Sequence, residues 1–462
     1  MLKKRDSILD IAERRDIQGI LASGYDHLDY VSYFFFQVID SNRAKEWLRG
    51  VVDRVTPAVD PGSKKSPNCF HIALTFAGIP AFGVAGNSID GLSHEFVKGM
   101  NRPEAAKLLG DTGGSDKQNW DFGAPDSREK RPIHLLILLY GDSQEGMRAY
   151  IRSFRLDSVA NGLELVYRQD ANRAHGDHFE PFGFRDGISQ PLIAGLTSTA
   201  GPASHLIRMG EFVLGYEDEK GLKSRIPGID NWQDPKGYLS PHPECPKDRR
   251  AFGLNGSYLV FRKLHQDVEG FRNYVKNISS NTPHSAEVIA AKMVGRWRSG
   301  APLVLAPDNP GSEPDNDFLY TPTDLDGLNC PIGSHIRRMN PRDSLPTWPS
   351  HALQISNRHR IIRRGRKYAE GANQGICFIA LNADLLRQFE FLQNSWADDP
   401  EFNLLDNDRD PIIGNNDGTG QFTIQSNPVN LHLKNVPRFV TTKGGGYFFL
   451  PGIRTLRYLA NC

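Results

Sequence analysis

Gly183-Phe184-Arg185-Asp186-Gly187, continuing Ile188-Ser189-Gln190-Pro191, is the stretch around which this chain is organised. Two glycines bracket one carboxylate, which follows an aromatic and an arginine. Glycine admits positive φ and close backbone approach, so the stretch reads as a tight, shaped loop. Such a loop can hold Asp186 rigidly at the rim of something flat or bulky. The same letters also fit an ordinary Asp-Gly turn. The flanking sequence has to decide between the two.

On the N-terminal side, residues 30–39 read as a strand rich in aromatic and β-branched residues. Asp40 and Ser41 are cap candidates for a helix carrying Ala44, Trp47, Leu48, Val51 and Val52 at helical spacing. Strands follow at 68–76 and 134–140, then a helix opened by Asp142-Ser143 and a strand at 162–167. Strand, helix, strand, strand, helix, strand is the order of a ferredoxin-like unit. On the C-terminal side the pattern returns. A strand at 257–264 precedes an Asp267-capped helix and a second helix at 285–297. Strands at 360–368 and 375–381, an Asn382-capped helix and a closing strand at 446–451 complete it. The expectation is an α+β protein of two ferredoxin-like domains, with antiparallel sheets and peripheral helices. Residues 1–200 carry the Asp186 loop, 201–256 form a long loop linker rich in Gly, Pro and charge, and 257–462 form the second domain.

A length of 462 residues suits two such domains. Charged residues make up 24% and the net charge is +1, so nothing favours a nucleic-acid or membrane-surface partner. The five cysteines are scattered and odd in number, which fits a reduced compartment better than a disulfide framework. The charged start, Met1-Leu2-Lys3-Lys4-Arg5-Asp6, leads into no apolar run, and no segment is long enough to span a bilayer. The expected location is cytoplasmic.

No GxGxxG after a strand, GxxxxGK[ST], HExxH or GxSxG is present, which removes most support for nucleotide, zinc-protease and serine-hydrolase chemistry. What is present is Pro331-Ile332-Gly333-Ser334-His335-Ile336-Arg337-Arg338-Met339-Asn340-Pro341-Arg342. One histidine sits among small residues with arginines close behind. Haem needs an imidazole for iron and cations for two propionates. A partly buried structural histidine in a basic segment fits the same letters. Arg358-His359-Arg360-Ile361-Ile362-Arg363-Arg364-Gly365-Arg366-Lys367-Tyr368 reads on its own as a basic, solvated edge strand.

Taken together, these segments resemble the dye-decolourising peroxidases. Gly183 to Gly187 resembles their GxxDG signature, the His335 segment their proximal histidine, and Ile361-Ile362-Arg363-Arg364-Gly365 their distal-arginine strand. Gly375-Ile376-Cys377-Phe378, Gln388-Phe389-Glu390-Phe391 and the run from Lys443 to Pro451 also resemble family segments. The lead-in His178-Phe179-Glu180-Pro181-Phe182 departs from the family, whose members often carry His-Phe just before the signature glycine.

The resemblance implies one haem b per chain, held mainly by the C-terminal half, with His335 as axial iron ligand and Asp410 accepting the far ring N–H of that imidazole. It implies Asp186 as distal acid/base and Arg363 as distal guanidinium. Arg342, with Arg337, would meet a propionate; Gly187, Ile188, Ile376 and Phe378 would line the pocket; Tyr368 would be a surface electron relay. Hydrogen peroxide and an aromatic reducing substrate are the implied partners, and a homo-oligomer is left open. Heterolytic cleavage of peroxide needs a group that moves a proton from one oxygen to the other, and a guanidinium to stabilise the departing charge. A carboxylate does this in its ionised form, which implies an acid-shifted activity profile. Two other readings compete: a haem-handling protein that binds porphyrin or removes its iron, with incidental peroxidase activity, and a cofactor-free α+β binding module. Mere binding needs neither Asp186 nor Arg363.

Overall fold

The computed structural model describes residues 9–59, 63–156, 159–173, 176–197, 202–371 and 373–462. The charged start at residues 1–6 and the expected division at residues 200 and 201 lie outside them. Four strands of the first half, β1 (Tyr30–Val38), β2 (Asn68–Leu74), β3 (Leu135–Gly141) and β4 (Leu163–Asp170), form an antiparallel sheet in the order β4-β1-β3-β2. The second half supplies β5 (Ser257–Gln266), β6 (Ile362–Arg363), β7 (Arg366–Glu370), β8 (Asn373–Asn382), the hairpin β9 (Gly420–Ile424) and β10 (Leu431–Val436), and β11 (Val440–Leu450). Here β11 pairs with β5, β5 with β8, and β8 with β6 and β7, all antiparallel. Each half therefore has the fourth-first-third-second strand order of a ferredoxin-like sheet. The halves join edge to edge where Phe449 of β11 pairs with Leu74 of β2.

Alternation explains why one sheet carries two cores. On β1, Phe34 and Phe36 enter one apolar cluster, while Tyr33 and Phe35 enter another on the opposite face. β3 is buried at every position, as its unbroken apolar run predicts. Both clusters run on into the second half, through Tyr258 and Val260 on one face and Leu259 and Phe261 on the other.

Four helices start at side-chain caps, and three of these, Asp40, Ser143 and Asp267, are among the expected residues. Asp40 accepts from Arg43 N, Ser143 from Gly146 N, Asp267 from Gly270 N and Ser285 from Val288 N. They are α1 (Ser41–Val51), α2 (Gln144–Ser153), α3 (Val268–Ser280) and α4 (Ala286–Val294). α4 ends earlier than the apolar pattern suggests, because Gly295 turns left-handed at φ 96°. The strand expected over 360–368 is broken into β6 and β7 around Gly365, where a side chain would meet the carbonyl of Cys377 at 2.9 Å. Asn382 closes β8 instead of capping a helix; Asp384 accepts from Arg387 N at 2.9 Å, and two π-helical segments follow, Leu386–Glu390 and Leu392–Ala397. Residues 202–256 contain only two-residue strands and single-turn helices. Among the described residues, no helix is long and apolar enough to cross a membrane.

Candidate active site

A cavity of about 300 Å³ opens on one face of the second half-sheet. The strands show why it is there. On β5, Tyr258 and Val260 are core, but Arg262, Leu264 and Gln266, next on the same face, line the cavity. On β8, Ala380 is core while Phe378 and Ile376 line the cavity. The apolar core simply stops halfway along these strands.

One wall carries His335, the first residue of a short helix, α5 (His335–Met339). Its Nδ1 lies 2.9 Å from Asp410 Oδ2. The other oxygen of Asp410 accepts from Ile412 N at 2.8 Å and Ile413 N at 3.0 Å, so the carboxylate is fixed before it meets the imidazole. Burial pushes the Asp410 carboxyl up; the facing His335, the backbone N–H of Ile413 and the charge of Arg338 outweigh it and hold the group below its ordinary value. With Nδ1 engaged, Nε2 is the ring nitrogen left for the cavity, and the His335 side chain makes no other hydrogen bond among the described residues. Ile336, Met339, Leu392 and Ile412 give this side an apolar surface.

The same cavity is lined by the Gly183–Gly187 turn, with φ of 93° at Gly183 and 81° at Gly187. Asp186 N donates to His178 O at 2.8 Å, and Asp186 Oδ1 accepts from Gly187 N at 2.6 Å. Arg363 Nη1 approaches the same oxygen at 3.7 Å. The backbone of Arg363 donates to Gln190 Oε1 at 3.0 Å, which ties β6 to the end of the loop. Phe182 and Phe184 pack on Phe271 of α3, with ring centroids 4.8 and 6.5 Å apart. The unusual lead-in is fixed by Glu180. Its oxygens accept from Phe182 N at 2.9 Å, Phe184 N at 2.8 Å and Gln266 Nε2 at 2.7 Å. Enclosure pushes the Glu180 carboxyl up, and the backbone and Gln266 bonds oppose this. A second, polar cavity of about 130 Å³ shares Glu180, Asp186 and Arg363 as wall, so the Asp186–Arg363 pair stands between the two spaces.

Gly187, Ile188, Ile376 and Phe378 line the main cavity, as expected. The two arginines expected for propionates do not. Arg337 is fully buried and donates to the carbonyls of Asp324, Leu325 and Cys330 at 2.8–2.9 Å. Two residues along a helix is a rotation of about 200°, so Arg337 leaves the opposite side from His335. Arg342 donates to the carbonyls of Phe318 at 2.6 Å and Asn316 at 3.1 Å, and its guanidinium lies 3.8 Å from the Phe318 ring centre. Neither lines the cavity. Tyr368 is corrected too: it is 1% exposed, packed in the core on the far face of the sheet with the Lys263 ammonium 5.0 Å from its ring centre. It is no surface residue.

The basic stretch is not a solvated edge. Arg364 donates to the carbonyls of Ile20 and Leu21, and Arg366 to those of Gly24 and Tyr25, clasping the start of the chain. Arg360 is 6% exposed, lines the cavity, and has no side-chain partner among the described residues. Both it and Glu180 escaped the sequence reading, since neither breaks the local pattern of charge.

No family model matches the chain. A relative described as a dye-decolorizing peroxidase, from Exidia glandulosa, is 30% identical over 482 aligned residues, covering 96% of this chain and 86% of the relative. A solved fungal DyP-type peroxidase from Auricularia auricula-judae superposes with a TM-score of 0.77 at 26% identity, over 98% of this chain and all of that one (100%). A solved dye-decolorizing peroxidase in complex with 2,6-dimethoxyphenol gives 0.75 at 26% identity, over 97% and 99% of the two chains.

Proposed function

The chain belongs to the dye-decolourising peroxidases, a family of haem-dependent oxidoreductases, and from that premise we propose that it uses hydrogen peroxide to oxidise bulky dyes, phenols and similar aromatic donors, with Asp186 as the acid/base and His335 as the iron ligand. The observation that carries the assignment is that one cavity is lined both by His335, which is paired with Asp410, and by Asp186, which is paired with Arg363.

The donor set fits haem. A metal-bound imidazole usually gives its other ring nitrogen to a carboxylate, and Asp410 is buried and preset for that role. We assign one haem b per chain, anchored in the second half, while the first half delivers the Asp186 loop; this keeps the division at residues 1–200, 201–256 and 257–462. Haem supplies the iron at which peroxide is reduced and the oxidising equivalents that aromatic donors later quench.

The protein's own residues do the rest. Ionised Asp186 takes the proton from one peroxide oxygen at Oδ2, since Oδ1 is occupied by Gly187 N. It returns that proton to the other oxygen as it departs. Arg363, always charged, stabilises the negative charge developing there. Glu180 keeps the turn from shifting during the transfer by accepting two of its backbone N–H groups. Apolar Ile376 and Phe378 exclude water from the same space. A protein that only stored or stripped haem would need no such acid/base pair.

The test is a product analysis. Holoprotein given peroxide and 2,6-dimethoxyphenol should oxidise the phenol over many turnovers with its porphyrin intact. Release of iron or cleavage of the ring, with the phenol unchanged, would contradict the reading.

A further inference from the structure

Arg296, Arg360 and Arg363 line the cavity, Arg342 lies near enough for its charge to act on Arg360, and one of these four is unexplained. Arg296 donates to the carbonyls of Gly300 and Asp315 and to Asn316 Oδ1. Arg342 is satisfied by Phe318 and Asn316. Arg363 faces Asp186 and Ser189 O. Arg360 alone has neither a hydrogen bond nor an ion pair from its guanidinium among the described residues, although it is 6% exposed. Its only recorded anchoring is through the backbone: Arg360 O accepts from Gln388 Nε2 at 2.6 Å and Arg360 N donates to Asn357 O at 3.4 Å.

A guanidinium carries five donors and does not give up its charge in ordinary surroundings. Burying it without an anion costs several kcal/mol, so such groups are paired in native proteins. The charges that act on Arg360 make matters worse. They are those of Arg342 and Arg363, both positive, and with burial they push the group down to about 9. The side chain is aimed at the cavity that His335 and Asp186 flank. The missing partner must therefore be an anion inside that cavity.

We infer that Arg360 is the carboxylate anchor of the cofactor, meeting a haem propionate in the place the sequence suggested for Arg342 and Arg337. This rests on the haem reading above. A propionate offers two oxygens in a plane, which matches the fork of a guanidinium. β6 sets the distance: Arg360 lies three residues before Arg363, so one short segment fixes both the carboxylate end of the porphyrin and the distal guanidinium. The register of the cofactor and the chemistry above it are then coupled through the backbone.

The test compares haem with haem dimethyl ester, whose propionates are uncharged. Holoprotein loaded with either is mixed with excess apomyoglobin, and the rate of porphyrin loss is followed in the Soret band. The parent should lose the ester tenfold to a hundredfold faster than haem, the range expected for one charge-assisted pair. Arg360→Met should lose haem about as fast as the ester, whereas Arg342→Lys should keep the parent's preference. Arg360→Met retaining that preference would overturn the inference. Should Arg360→Met not fold, the parent decides: release of haem and ester within twofold of each other would show that no carboxylate is anchored. A parent that takes up neither porphyrin would overturn the haem reading itself, and the arginine's role with it.

Discussion

In the half-sheet of β1–β4, α1 and α2 close the face that carries Phe34 and Ile137: Trp47, Leu48, Val51 and Met147 belong to the same cluster as the strand residues. In the half-sheet of β5, β8 and β11, the equivalent helix turns elsewhere. Phe271 and Val275 of α3 pack with Phe422 and Leu433 of the hairpin and with Phe182 and Phe184 of the Asp186 loop, in a cluster that those strands touch only through Val440 at the start of β11. The strand order is the same, and the difference lies in where one helix buries its apolar face. The uncovered strand face becomes the cavity, and the displaced helix holds the loop that closes it. One half of the molecule closes its sheet face with helices, and the other leaves an open cavity there.

If the open half is a cofactor site, the largest effect comes from removing its anchor. His335→Ala should lose its haem, or at least the Soret spectrum of the parent; an unchanged spectrum would take His335 out of the role. The two faces should also differ in stability. Ile137 is fully buried in the closed half, and Ile137→Ala should cost about 2–5 kcal/mol in urea unfolding. Ile376 borders the cavity, already lacks neighbours on one side, and Ile376→Ala should cost less than about 1 kcal/mol. Equal losses would show that the second half is packed like the first.

A further effect is one of pH. Burial holds His71 neutral, pushed down to about 3, and His359 and His205 to about 4. These bases bind protons more weakly folded than unfolded, so stability is full above about pH 6.5 and falls as pH drops toward 4. Each contributes a slope of up to about 1.4 kcal/mol per pH unit. His71→Asn should remove one such contribution from urea unfolding measured between pH 7 and pH 5. An unchanged slope would mean His71 is protonated in the folded chain.

The aromatic and β-branched run of β1 and the caps at Asp40, Ser143 and Asp267 made the element order legible, because both are local signals. His335, Asp410, Asp186 and Arg363 were legible through resemblance, and the fold brings them to one cavity. What failed was direction. The resemblance placed Arg337 and Arg342 beside a propionate, but helical phase sends Arg337 away, and Arg342, at a positive φ of 53°, donates to Phe318 O. Tyr368 failed for the same reason, since its register opposite Gly375 points it into the core. Arg360 could not be told from its basic neighbours, because its missing partner is a property of the folded surroundings.

If Asp186 moves the proton, replacing its carboxylate should leave the rest of the site intact. That role is tested most directly by rapid mixing of Asp186→Asn holoprotein with hydrogen peroxide, following the Soret band. The resting spectrum should match the parent's, and the reaction with peroxide should be slowed by about 10²–10⁴-fold. Reaction at the parent's rate, with haem still bound, would contradict that role.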